Sequence, residues 1–177
     1  MSELMASTLA NTRILADKGD LEAQYDLGRM YANGDGLAQD YTEAVRWYRK
    51  SAEQGNADAQ LALWAVYSAG QGVTQDYIEA TRWCRKSAEQ GAAGGQFFLG
   101  VMYGCGQGVV QDDAEAYRWY RKAAEQGLVK AQLAVGMAYR NGQGVAQDHA
   151  ESNKWFQMAA DKGDSVGQFR LGVAYYL

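Results

Sequence analysis

In the stretch DLEAQYDLGRMYAN, Asp20 to Asn33, small and apolar residues return at steps of three and four. At 100° per residue, Ala23, Gln24, Leu27, Gly28, Met30 and Tyr31 gather on one side of a helix. Glu22, Tyr25, Asp26, Arg29, Ala32 and Asn33 gather on the other. The first set predicts a core face. The helix should stop at Gly34 and Gly36, because glycine takes the left-handed cap at little cost. A second amphipathic stretch opens at Asp40, passes Trp47 and ends near Gly55. Asp40 with Glu43 three residues on predicts a capping box, in which the aspartate accepts one orphan backbone N–H and the glutamate reaches back to another.

The pattern then begins again. Gly19, Gly55, Gly91, Gly127 and Gly163 share one interval, 55 − 19 = 36, as do Trp47, Trp83, Trp119 and Trp155, and Tyr31, Tyr67, Tyr103, Tyr139 and Tyr175. The Asp/Glu pair recurs at 76/79, 112/115 and 148/151. A period of this size marks a helix-pair unit that cannot bury its own apolar face, so neighbours must stack. The expected organisation is one domain: a capping helix over residues 1–19, full repeats over 20–55, 56–91, 92–127 and 128–163, and a half repeat over 164–177. Leu4 to Lys18 aligns with a second-type helix, with Asn11 where tryptophan would stand, as suits a polar end.

Composition narrows the function classes. The chain has 177 residues, 47% of them hydrophobic, enough for a real core. Its net charge of −4 comes from 21 acids and 17 bases with no block of either sign, so neither nucleic acid nor an anionic membrane is an expected partner. No segment approaches the roughly 20 apolar residues of a membrane span, and the first residues lack the basic start and apolar run of a leader. The expected setting is soluble and cytoplasmic. Cys84 and Cys105 fall at different points of the repeat, giving no disulfide ladder and no metal-ligand spacing. Proline is absent beside 21 glycines, which suits many helices with glycine stops.

The segment AQYDLGRMYANGDGLAQDYTEAVRWYRKSAEQG resembles the bacterial form of the Sel-1-like repeat family, relatives of the tetratricopeptide repeats, and the likeness runs along nearly the whole chain. Leu27-Gly28-x-x-Tyr31 also echoes the tetratricopeptide signature. Two departures stand out. Ala38, Thr74, Val110 and Ala146 occupy a place where bacterial units often carry proline, and the cysteine pair of secreted members is missing. The resemblance implies an all-α fold, a right-handed superhelical solenoid of antiparallel helix pairs. It also implies a non-catalytic scaffold or adaptor that binds another protein or peptide on a concave face. The alternative within that family is a dedicated inhibitor or immunity protein occluding one enzyme or toxin.

By analogy with tetratricopeptide arrays, the second face of each first-type helix would line that wall. Tyr25, Leu61, Phe97, Leu133 and Phe169 form one row; Arg29, Ala65, Val101, Met137 and Val173 form the next, with Arg140 and Tyr176 beside it. An apolar trough of this kind suits a partner's helix or loop. The first row has a second reading as packing between repeats, since it borders the core arc. In the second repeat Trp64 replaces the close-packing glycine and Cys84 replaces the aromatic found at Tyr48, Tyr120 and Phe156. A volume exchange explains both, with a tryptophan anchor on the inner wall as the rival.

Candidate chemistry is thin. His149, the only histidine, holds the variable register of Tyr41, Tyr77 and Asp113 and has no second histidine to work with. Glu43, Glu79, Glu115 and Glu151 lie whole repeats apart. The Gly-x-Gly turns follow helices, so they are not phosphate cradles. Cys105 reads as a small apolar filler, or as a thiol if exposed. Tryptophans with Arg46, Arg82 and Arg118 suggest base stacking, but they fall on the core side of their helix. No catalytic residue, metal ligand or cofactor is assigned. Stacking of the last helix against a second copy stays open as self-association.

Overall fold

The computed structural model describes the backbone of residues 3–175 and the side chains of residues 7–172. Among them every regular element is an α-helix. Two compact units form. The first, Met1–Gln90, holds α1 (Glu3–Asp17), α2 (Leu21–Asn33), α3 (Tyr41–Glu53), α4 (Ala57–Ala69) and α5 (Tyr77–Glu89). The second, Gly91–Leu177, holds α6 (Ala93–Cys105), α7 (Asp113–Glu125), α8 (Val129–Asn141), α9 (His149–Ala160) and α10 (Ser165–Tyr175). Within each unit, consecutive helices pack on one another.

The helix ends follow the sequence in most respects. Gly34 caps α2 in the left-handed region, φ 79°, with its N–H on the Met30 carbonyl, and Gly70, Gly106 and Gly142 repeat the arrangement. Asp40 Oδ1 accepts the N–H groups of Thr42 and Glu43 at 2.8 and 3.1 Å. The other half of the expected capping box does not form. The N–H of Asp40 instead donates to the carbonyl of Tyr31 at 2.9 Å, and Asp76, Asp112 and Asp148 do the same to Tyr67, Tyr103 and Tyr139. With that donor satisfied across the hairpin, the glutamates turn outward. Glu43 pairs with Arg46 at 3.2 Å and Glu79 with Arg82 at 3.6 Å.

Leu27, Leu63, Leu99 and Val135 are fully buried at one register of the first-type helices. One step further on, glycine admits an aromatic ring. A Cβ at Gly28 would lie 2.5 Å from Tyr48, one at Gly100 2.6 Å from Tyr120, and one at Gly136 2.6 Å from Phe156. Real Cβ atoms do not come so close, so glycine is required wherever the ring is present. The second repeat keeps neither member: Trp64 is half-buried and Cys84 has no exposure. An indole at 64 with no ring at 84 is the combination that a volume exchange predicts.

A polar ladder runs through the same core. Gln24 donates to the Ala16 carbonyl at 3.1 Å while its own oxygen accepts from Gln54 at 2.7 Å. Gln60 donates to Ala52 and accepts from Gln90, and Gln126 serves both Gln96 and the Gly91 carbonyl at 2.8 Å. Gln24, Gln60 and Gln96 thereby tie the end of their own second helix to the start of the first, and Gln24, Gln60 and Gln132 each donate to a carbonyl of the preceding repeat. The fourth repeat breaks the pattern. Lys162 holds the carbonyl of Gly127 at 2.6 Å, and the buried Oε1 of Gln132 has no partner.

Three outcomes follow from this packing. Cys84→Tyr should cost about 1–3 kcal/mol by overfilling, and much less in a Trp64→Gly background. A double-mutant cycle by urea denaturation checks the coupling, and equal costs in both backgrounds would disprove the exchange. Lys162→Gln should raise stability by about 0.5–1.5 kcal/mol, since the amide can bond both Gln132 and Gly127. Burial pushes Cys84 from 9.0 up to about 12, and pushes Tyr48 and Tyr120 from 10.0 up to about 12. Their unfolded forms ionise first, so the stability they confer is complete below pH 9 and is lost as pH rises towards 12. Urea midpoints measured from pH 7 to 11 should stay level and then fall.

Candidate functional site

The outward faces of the first-type helices divide by unit. In unit 1, Tyr25 is half-buried with its ring 5.9 Å from that of Tyr48, and the Arg29 guanidinium lies 5.8 Å over it while pairing with Asp26 at 3.6 Å. Leu61 is half-buried and Ala65 is exposed. In unit 2, Phe97 leans on Tyr120 at 5.7 Å and packs against the cluster of Ala123, Ala124, Ala131 and Val135. Val101, Leu133, Met137 and Arg140 are all half-buried. Phe169 is 67% exposed. The side chain of Val173 and the whole of Tyr176 lie outside the described residues. Tyr25 and Phe97 thus serve packing at one edge and present surface at the other, whereas Met137 faces open space.

That space is a cleft of about 280 Å³ in unit 2, between the end of α6, the start of α7 and the middle of α8. Gly104, Ala116, Ala134 and Ala138 make it wide; Tyr117, Tyr120 and Met137 line it; Cys105, Asp113 and Gln143 complete the lining. Only Met137 among these was assigned to a partner surface from sequence. The signal for the others is a departure from register. Gly104 stands where Ala32, Ser68 and Arg140 stand, and Asp113 where the other repeats have Tyr41, Tyr77 and His149. Tyr117 replaces Val45 and Thr81 of the earlier repeats. Its hydroxyl donates to that of Tyr139 at 2.8 Å with the rings edge to face.

The electrostatics of the cleft are one-sided. Burial pushes the Tyr120 hydroxyl up to about 12, and Cys105 and Asp113 add to the shift. Burial also pushes Tyr117 to about 12, helped by its bond to Tyr139. Both phenols therefore stay neutral at physiological pH. Unit 1 carries a second cleft of about 340 Å³, bounded by Val45, Arg46, Arg49, Lys50 and Glu53 with the loop at Gly72 and Val73.

The remaining candidates fall elsewhere. His149 is exposed at the start of α9. Lys50, Lys86 and Lys122 sit 4.0, 4.1 and 4.0 Å over Trp47, Trp83 and Trp119, so a lysine one turn on covers a face of each indole that base stacking would use. Cys84 and Cys105 are both thiols, the first buried and the second exposed. Among the described residues no group of three or more His, Cys, Asp or Glu is placed to hold a metal ion, and no helix is long and apolar enough to cross a membrane.

Comparison with known proteins rests on this geometry. The family model described as the Sel1 repeat matches residues 21–56, 57–91, 93–128 and 129–164. Among solved structures, a protective antigen of uropathogenic Escherichia coli displaying an SLR fold is 42% identical with a TM-score of 0.91, over 93% of this chain and 35% of its own. A Sel1 repeat protein from Oxalobacter formigenes is 36% identical with a TM-score of 0.85, over 89% of this chain and 65% of its own. Cysteine-rich protein B of Helicobacter pylori, 24% identical with a TM-score of 0.60 over 75% of this chain and 96% of its own, shares the fold. The chain thus spans less than two thirds of the length of the first two. No curated protein matches it. With four matched units and an all-helical structure that repeats in step with them, the chain belongs to the Sel1 repeat family.

Proposed function

We propose that the protein is a non-catalytic scaffold that holds a partner protein or peptide on the outward faces of its first-type helices, with the surface of unit 2 as the main contact. Sel1 repeat proteins are in general protein-interaction scaffolds. One observation carries the reading for this chain. Val101, Leu133 and Met137 are apolar and only half-buried, and Met137 borders an open cleft walled by aromatic and small side chains. Apolar side chains arranged around a depression supply the desolvated anchor point on which protein association depends. Val101 sits on a helix tied to α7 by Gln96 and Gln126, and Leu133 and Met137 on a helix packed against both α7 and α9, so little ordering is needed on binding. A reducing, cytoplasmic setting fits two cysteines that are both thiols.

Phe97 is a poor probe of this surface, since its ring is also part of the packing around Tyr120. Met137 is the better one. A photoreactive benzophenone side chain at position 137 should crosslink a discrete partner in cells, whereas one at Arg46, exposed on α3, should not. Met137→Glu should abolish complex formation, at least about tenfold in Kd, with unchanged helicity by circular dichroism. Capture at 46 rather than 137, or loss of helicity together with binding, would overturn the reading.

A further inference from the structure

The geometry points to the unit 2 cleft as a receptor for one basic side chain, lysine or arginine, of the bound partner segment. The inference rests on the scaffold reading above and adds the chemistry of what is recognised. Its size sets the scale: about 280 Å³ lies just under the roughly 300–1,000 Å³ of small-molecule sites, which suits a single long side chain better than a cofactor.

The lining selects the kind of side chain. Ala116, Ala134, Ala138 and Met137 offer apolar contact along the cleft, and Tyr117 and Tyr120 add aromatic rings. Aliphatic stems pack on such walls, and a cation at the tip is attracted by a ring face. Charge then decides between an apolar and a basic occupant. No lysine, arginine or histidine lines the cleft, and the Asp113 carboxylate takes part in none of the ion pairs among the described residues. Along α7, Arg118 is engaged by Glu115 at 2.5 Å and Arg121 by Glu125 at 2.9 Å, with Arg121 also bonded to the Tyr117 hydroxyl at the cleft wall and neither paired with Asp113. A basic group entering the cleft would therefore meet a carboxylate without a competing partner, while an acidic group would meet like charge.

The three register departures of this repeat converge on the same property. Gly104 removes a side chain, Asp113 replaces a tyrosine by a carboxylate, and Tyr117 replaces Val45 or Thr81 by a ring. A Cβ at Gly104 would meet nothing closer than 3.6 Å, while Tyr117 also packs against the core cluster and bonds Tyr139. In repeats 1 and 2 the residue in the place of Asp113 is a tyrosine whose hydroxyl accepts from Gln39 at 3.2 Å or Gln75 at 3.0 Å. The third repeat gives up that local bond in favour of an unpaired charge beside a cavity.

The test uses the full chain labelled with nitrogen-15 and four small probes at matched ionic strength: n-butylguanidinium, n-butylammonium, butanol and butyrate. The two cations should shift the amide resonances of Gly104, Asp113 and Met137 saturably, about tenfold more tightly than butanol, and butyrate should be weakest. Asp113→Asn should reduce the cations to the level of butanol. Gly104→Leu should abolish binding of all four by filling the cleft, with unchanged helicity by circular dichroism; a Cβ there meets only Tyr120 Oη at 3.6 Å and Ala116 Cβ at 3.7 Å. Butanol binding as tightly as the cations, butyrate binding more tightly, no saturable shift, or indifference to Asp113→Asn would each overturn the inference. Crosslinking at position 137 reads the scaffold role without reference to charge. A partner captured there together with cation binding that ignores Asp113 would remove the inference alone, and cation binding without any captured partner would remove the scaffold role alone.

Discussion

An aromatic ring laid on a glycine joins the two helices of a repeat, and most of the structure depends on that contact. Tyr48 on Gly28, Tyr120 on Gly100 and Phe156 on Gly136 each leave no room for a Cβ. The approach brings Leu27, Leu99 and Val135 into positions without solvent. Dispersion and burial scale with how closely two backbones can come, so a single missing side chain governs the separation of each pair. The exception follows the same rule, because Trp64 and Cys84 differ from their columns together.

Directional bonds then hold the stacked pairs in register. Apolar packing alone would allow neighbouring repeats to slide or rotate, since it has little directionality. The buried glutamines remove that freedom: Gln24 and Gln60 bond at once to their own second helix and to the one before, and Gln132 bonds the one before. Arg13 adds a similar link to the Tyr31 hydroxyl at 2.7 Å, and Arg49 donates likewise to Tyr67. Outward side chains such as Ala65 and Met137 carry less of this packing and differ between repeats. The third repeat uses such differences to open its cleft.

Much of this was legible in the chain. The 36-residue spacing, the helix pairs, the glycine stops, the aspartate caps and the close-packing glycines at 28, 100 and 136 follow from local preference and periodicity and are present. Gly172, expected to pack in the same way, has open space around it, because no second helix of its repeat lies against it among the described residues. The capping glutamates were misjudged. Their local geometry permits the reach back to the cap, but the Asp40 N–H is taken by Tyr31 nine residues earlier, a long-range bond that a four-residue motif does not encode. The first apolar row was left open between packing and docking, and the rings of Tyr25 and Phe97 pack on Tyr48 and Tyr120 while staying half-exposed. Gln24 was placed in the core without a reason; its reason is a carbonyl on another helix.

The amino-acid sequence by itself determined what repeats: which residues turn inward, where each helix ends, and that one unit needs the next. Those properties arise between residues a few positions apart or at one fixed interval, and so they leave a periodic trace. Only the tertiary structure decided what lies between the repeats, namely the ladder partners of the glutamines and the cavity beside Gly104, Asp113 and Tyr117. These belong to atoms brought together from three helices, and an empty volume is the property of the arrangement and of no residue in it.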